Sequence, residues 1–305
     1  MQLVRYRAAP SRPRLDGFRA KFFRMAKDSK IEWTHHTFNP WWGCVKVSPG
    51  CKHCYAETWA HRVGQDVWGP GAPRRDLSDA YWRQPIAWNA EAERIGVRRR
   101  VFCASMGDVF EDRRDLDDKR TRLWALIADT PWLDWLLLTK RPQNVSRLAP
   151  YGDRWPENVW LGATAENQKW LDKRMDVLTA LLARILFLSC EPLVGSLDFS
   201  RWIDRARRGE CRMVDWVIAG GESGHHARPM HPEWLTAIRD QCVDAGIRFH
   251  FKQWGNWRPV SARQVNGHRT KTLSLSSGET IVVANIGKKA AGRKLQGATW
   301  DEFPT

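Results

Sequence analysis

Trp135-Leu136-Leu137-Leu138-Thr139-Lys140-Arg141-Pro142 is an apolar run that stops abruptly at two cations and a proline. It reads as a short strand running straight into a polar turn. The same pattern recurs along the chain. Further strands are expected at Ile31–Thr34, Val101–Ser105, Val159–Ala163, Ile185–Ser189, Trp216–Ala219 and Phe249–Lys252. Between them, Leu116–Ala128, Gln168–Leu182 and Pro232–Ala245 place apolar residues at spacings of three and four; the last opens on a first-turn proline and ends at Gly246. Strands alternating with helices imply parallel pairing, because parallel neighbours need a crossover rather than a hairpin.

Periodicity alone fits an open doubly wound sheet as well as a barrel. The polar residues favour the barrel. Asp108, Lys140, Glu166 with Asn167, Glu191, Glu222 with Ser223, and Gln253 all fall at C-terminal strand ends, which in a barrel meet at one mouth. The fold expected is therefore an α/β class (β/α) barrel over residues 30–257, complete or incomplete, with six to eight parallel strands. Residues 68–100 read as a long surface connection around a short helix, and 258–305 as an appendage with one clear strand, Thr280–Ala284.

At 305 residues and 43% apolar content, the chain can bury a large core. No stretch approaches the roughly 18 to 20 apolar residues that span a bilayer, and no signal-like apolar segment opens the chain. A cytoplasmic, non-membrane protein is expected. The net charge of +15 points to a polyanionic partner. Residues 1–24 contribute seven cations against Asp16, so +6 of that total sits ahead of Met25-Ala26-Lys27. The segment 1–29 is read as a basic extension, either a disordered arm or an over-long gene start.

Seven cysteines in a chain without an export signal argue against a disulfide framework. Cys103, Cys190, Cys211 and Cys242 are scattered and read as small buried side chains. Cys44, Cys51 and Cys54 are different: they form a Cys-x6-Cys-x2-Cys loop that Pro49-Gly50 can fold back. Thiolates suit iron–sulfur clusters and zinc. A structural zinc site needs a fourth ligand, His53 or a distant cysteine. A four-iron cluster held by three cysteines leaves one iron open to chelate S-adenosylmethionine (SAM), and the loop lies between a strand and the helical stretch Tyr55–Val63, at the expected mouth.

Lys30-Ile31-Glu32-Trp33-Thr34, Asn39-Pro40, the cysteine loop, Leu138-Thr139-Lys140-Arg141-Pro142, Ser189-Cys190-Glu191-Pro192-Leu193 and Gly220-Gly221-Glu222-Ser223-Gly224 resemble the phage-associated gene product 37/68 family, known for its three-cysteine motif. The similarity runs from about Lys30 to Trp257, and that family is itself similar to radical SAM enzymes. The resemblance implies a radical-SAM-like barrel but carries no reaction with it. Two departures stand out. The first cysteine gap is six residues rather than three, with Tyr55 after the final pair rather than an aromatic inside it. The Gly-Gly-Glu run follows the sixth strand rather than the second, so its role in holding the SAM amino group is not transferred. Ser105-Met106-Gly107-Asp108 takes the second-strand position.

The cofactor-binding set expected is thus Ser105, Met106, Asp108, Thr164, Glu166, Gly220, Gly221, Ser223 and Gln253, with Cys44, Cys51 and Cys54 as ligands of a [4Fe-4S] cluster. Glu222, Lys140 and Glu191 are the candidate catalytic residues. Lys140-Arg141 and Arg228 suit an anionic substrate, while Glu191 and Glu166 suit ribose hydroxyls. Trp41, Trp42, Trp254 and Trp257 are expected near the mouth, where they would shield a radical or stack on a base. The function expected is a SAM-dependent radical enzyme acting on a nucleic acid or nucleotide, served by an electron donor such as flavodoxin or ferredoxin. Two alternatives stand beside it: a zinc-stabilised nucleic-acid-binding protein, and a metal-independent hydrolase using Glu166, Glu191 and Glu222.

Overall fold

The computed structural model describes residues 27–261, 265 and 267–304. The basic extension expected over residues 1–29 lies outside the described residues as far as residue 26. Seven parallel strands form one sheet in sequential order: β1 (His36–Thr37), β2 (Arg99–Cys103), β3 (Leu133–Thr139), β4 (Val159–Thr164), β5 (Ile185–Cys190), β6 (Trp216–Gly220) and β7 (Arg248–Gln253). The sheet curls into a half-barrel. β1 and β7 do not pair, so the expected barrel has an open seam.

The helices are α1 (Tyr55–Arg62), α2 (Asp79–Trp82), α3 (Gln84–Ile95), α4 (Asp117–Ala128), α5 (Val145–Leu148), α6 (Gln168–Thr179), α7 (Ser200–Arg207), α8 (Pro232–Asp244) and α9 (Lys288–Ala291). The connection over residues 68–100 holds two of them, α2 and α3. No helix among the described residues is long and apolar enough to cross a membrane.

Strand alternation divides the sheet into two apolar layers. Val101, Leu137, Leu161, Leu188, Val217 and Phe249 face the helices in the main core. Phe102, Leu136, Trp160, Phe187 and Trp216 point the other way and fill the floor of the concave side with Trp33. Both faces of β3 are therefore buried, which is why it reads as an unbroken apolar run.

The first strand departs from expectation. Pairing with β2 begins at His36, opposite Val101, rather than within Ile31–Thr34. Trp33 turns into the floor instead, and the Thr34 hydroxyl donates to the carbonyls of His36 and Arg100, which ends the preceding turn.

After β7 the chain builds a three-stranded antiparallel sheet from β8 (Trp257–Pro259), β10 (Thr280–Asn285) and β9 (Arg269–Ser274). Only β10 was legible in the sequence. The chain then returns to the half-barrel: Asp301 bridges His250, and the Phe251 amide donates to the Trp300 carbonyl. Phe303 closes the floor against Trp216, with ring centroids 5.3 Å apart and the Arg100 guanidinium 3.8 Å from its own.

Candidate functional site at the mouth of the half-barrel

The loop from Cys44 to Cys54 crosses the C-terminal ends of the strands, and three of those ends pin it. From the end of β3, Arg141 donates to the Val45 carbonyl at 2.8 Å and approaches Cys44 Sγ at 3.7 Å. From β4, Glu166 accepts the Ser48 hydroxyl at 2.6 Å. From β6, Glu222 lies 3.1 Å from His53 Nδ1 and receives Arg228, whose guanidinium also donates to the Pro49 carbonyl at 3.0 Å. Gly50 permits this seating: a β-carbon there would stand 2.6 Å from the Glu166 side chain.

The anchoring carboxylates are buried and matched. Glu166 Oε1 takes Ser48, Thr164 and the Lys140 ammonium, and Oε2 takes Arg174 at 3.1 Å. Burial opposes its charge, yet Lys140, Arg174 and Ser48 together hold it below the usual carboxylate range. Glu222 behaves alike. Burial works against its charge, but the Arg228 side chain and amide, with His53, bring it down. Asp108 accepts from the Thr139 hydroxyl, the amides of Phe110 and Lys140, and Arg141.

Carboxylates held ionised in this way suit the positioning of a loop. A general acid needs the opposite shift, so Glu166 and Glu222 are poorly placed for the hydrolase alternative. Glu191 is less engaged. It meets Lys252 at 3.2 Å and the Ser189 hydroxyl at 3.4 Å, and both members of the charged pair line the cavity.

That cavity, of about 400 Å³, brings together Cys44, Cys51 and Cys54 with Ser105, Asp108, Lys140, Thr164, Glu191, Gly221, Glu222, Ser223 and Gln253. Most of the expected site thus converges. The exceptions are Met106, which lines a neighbouring groove, and Glu166 and Gly220, which stand behind the wall. Gly221 is explained by close packing: a β-carbon there would fall 2.0 Å from the Trp254 carbonyl oxygen. Gln253 spends its amide on the Gly221 carbonyl and the Gly255 amide. Asn39 of the Asn-Pro pair holds the Ser105-Met106 turn, accepting the Met106 amide at 2.7 Å.

Burial, then Asp108, pushes the Cys44 thiol up to about 12, and burial also raises Cys54. Among the described residues no group of three or more His, Cys, Asp or Glu side chains is arranged to hold a metal ion. The donor set is three thiols facing one cavity. His53, the candidate fourth zinc ligand, directs Nδ1 at Glu222 instead. By number and softness alone, three thiols without a fourth donor match a cluster with an open corner rather than a tetrahedral ion, but their spacing in the structure does not by itself make a ligand set.

Of the other cysteines, Cys103, Cys190 and Cys242 are buried as expected, and Cys211 is partly so. The four mouth tryptophans are buried as well: Trp41, Trp42, Trp254 and Trp257 each expose 6% or less, so they pack rather than stack on a ligand. Accessible aromatic rings at the mouth include those of Tyr55, 57% exposed, and the half-buried Trp59. Sequence reasoning missed both, although their i, i+4 spacing on α1 was visible.

Comparison with curated proteins yields no match, and neither does comparison with solved structures. A family model described as a protein of unknown function, DUF5131, matches residues 28–304, and the chain belongs to that family.

Proposed function

We propose that the protein is an iron–sulfur, SAM-dependent radical enzyme acting on a nucleic acid or nucleotide. The observation that carries the reading is the convergence of three cysteines on one cavity at the C-terminal end of a parallel half-barrel, where α/β barrel enzymes place their chemistry. Cys44, Cys51 and Cys54 would hold a [4Fe-4S] cluster, reduced by a donor such as flavodoxin or ferredoxin. When bound, such a cluster supplies one-electron cleavage of SAM and hence hydrogen abstraction from a substrate.

The chain's own residues bind, orient and exclude water. Arg141, Glu166, Glu222 and Arg228 hold the cysteine loop against the strand ends through Val45, Ser48, His53 and Pro49. Glu191 and Lys252 are the charged pair facing the cavity, placed to accept from ribose hydroxyls and to donate to a carboxylate. Lys140 is tied to Thr164 and Glu166 and acts as a positioning residue. The aromatic floor beneath keeps the inner end of the site dry.

The test is anaerobic purification with iron and sulfide analysis, then an assay for 5′-deoxyadenosine from SAM under dithionite. The expected result is iron-loaded protein that makes 5′-deoxyadenosine. Replacing Cys44, Cys51 and Cys54 by alanine should remove both iron and product while leaving the unfolding free energy of the metal-free protein, measured in urea, within about 1 kcal/mol. Protein that contains no iron, or zinc in its place, overturns the reading.

A further inference from the structure

We propose that the groove along the open seam of the half-barrel takes a single-stranded segment of nucleic acid and leads it to the cysteine cavity. This deepens the preceding reading, and rests on it for what happens to the strand but not for whether the strand binds. The groove has a volume of about 710 Å³ and runs between residues 28–31, helix α1 and the loop after β6. It shares Ile31, His53, Cys54, Tyr55, Ser105 and Ser223 with the cysteine cavity, so the two are continuous.

Helix α1 supplies the recognition face. Tyr55, Thr58, Trp59 and Arg62 fall at i, i+3, i+4 and i+7 and all line the groove, while Ala56 and Ala60 face a buried cluster. The Tyr55 hydroxyl donates to the Ser105 carbonyl at 2.9 Å, yet the residue remains 57% exposed. Its ring is thus fixed in place and still open, a platform that loses little freedom when a base stacks on it.

The charge complements phosphate. Lys30, Lys52 and Arg62 are exposed, line the groove and have no ion-pair partner among the described residues. His225 and His226 stand on the facing loop. Of the two acids in the groove, Glu57 is neutralised by Lys46 at 2.7 Å, which leaves Asp28. A duplex hides its base faces in its own stack, whereas an unpaired strand can offer bases to Tyr55 and Trp59 while its phosphates meet the cations.

Fluorescence anisotropy with a labelled oligonucleotide of about 12 nucleotides, as single-stranded DNA, single-stranded RNA and the corresponding DNA duplex, tests the proposal on the full chain. Lys52→Glu/Arg62→Glu is compared with the charge-matched Lys169→Glu/Lys173→Glu on α6. The basic residues 1–24 are present in every variant, so their contribution cancels. The single strand should bind more tightly than the duplex. The groove double variant should lose at least about tenfold, with a shallower salt dependence, and the α6 pair less than about threefold. Tyr55→Ala should lose at least about fivefold and Tyr55→Phe less, since it keeps the ring. The DNA and RNA arms identify the strand.

Equal loss in the two double variants, tighter duplex binding, or no binding overturns the groove. Iron is measured in the same preparations. Iron-free protein whose groove variants lose binding leaves the groove standing and sinks the cluster; iron-loaded protein whose two double variants bind alike does the reverse.

Discussion

The two sides of the mouth handle charge in opposite ways. Beneath the cysteine loop, Asp108, Glu166 and Glu222 are buried and each meets at least one cation, through Arg141, Lys140, Arg174 and Arg228. Along the seam, Lys30, Lys52 and Arg62 stand in solvent with no ion-pair partner among the described residues. The first side has no use for its charges except to each other, and desolvation makes every one of them costly to strand. The second side leaves its charges hydrated, at little energetic cost, and available to something else. One side is built to keep its shape, the other to meet a partner.

Acid should break the contrast most strongly. Burial holds His36 and His250 at about 4, against an ordinary value near 6.5. The unfolded chain therefore takes up protons that the folded chain refuses. The stabilisation is fully present above pH 6.5 and is lost as pH falls towards 4, at about 3 kcal/mol for each residue. Glu166 and Glu222, both held below the usual carboxylate range, add losses in the same direction below about pH 4.5. Urea midpoints measured from pH 7 to pH 4 should fall steeply, and a flat profile would show that the buried groups are not as desolvated as their surroundings imply.

Removing one matched partner comes next. Glu166→Ala strands Arg174, only 2% exposed at its side chain, and frees Lys140 and Ser48 together. A loss of about 3 to 5 kcal/mol in chemical denaturation is expected, with new protease cleavage between Cys44 and Cys54. Ser48→Ala removes only the hydroxyl that ties the loop to Glu166. It should cost about 1 to 2 kcal/mol while raising loop cleavage by a comparable margin. A Glu166→Ala loss under about 1 kcal/mol would mean that the charges beneath the loop are not coupled, and the contrast between the two sides would collapse.

Much of the matched side was legible beforehand. Apolar runs such as Ile185–Ser189 and Trp216–Ala219 located their strands, and polar residues at the strand ends converged as a common mouth requires. Pro232 and Gly246 bracketed α8 within a residue or two. What failed was long-range. Whether the last strand reaches the first depends on accumulated curvature, which no local run encodes. Ile31–Thr34 has the composition of a strand, but Trp33 is drawn off to the floor by Phe102 and Trp216. At Glu166 the sequence shows a carboxylate at a strand end and not the four side chains that engage it, Ser48, Thr164, Lys140 and Arg174. The mouth tryptophans were assigned by position, and burial decided otherwise.

The smallest expected effect bears on the seam. Lys52→Ala and Arg62→Ala remove exposed cations that have no ion-pair partner within the described residues, so nothing buried is stranded and no helix cap is lost. Each should change unfolding free energy by no more than about 0.5 kcal/mol. Arg62 lies in the last turn of α1, where a cation favours the helix dipole, so its loss should be the larger of the two. If both are near neutral while Glu166→Ala is severe, the two sides differ by roughly tenfold in what a single charge contributes to the fold. A loss of about 2 kcal/mol at Lys52 would instead mark it as part of the framework that holds the cysteine loop, and the seam would no longer be a surface kept free for binding.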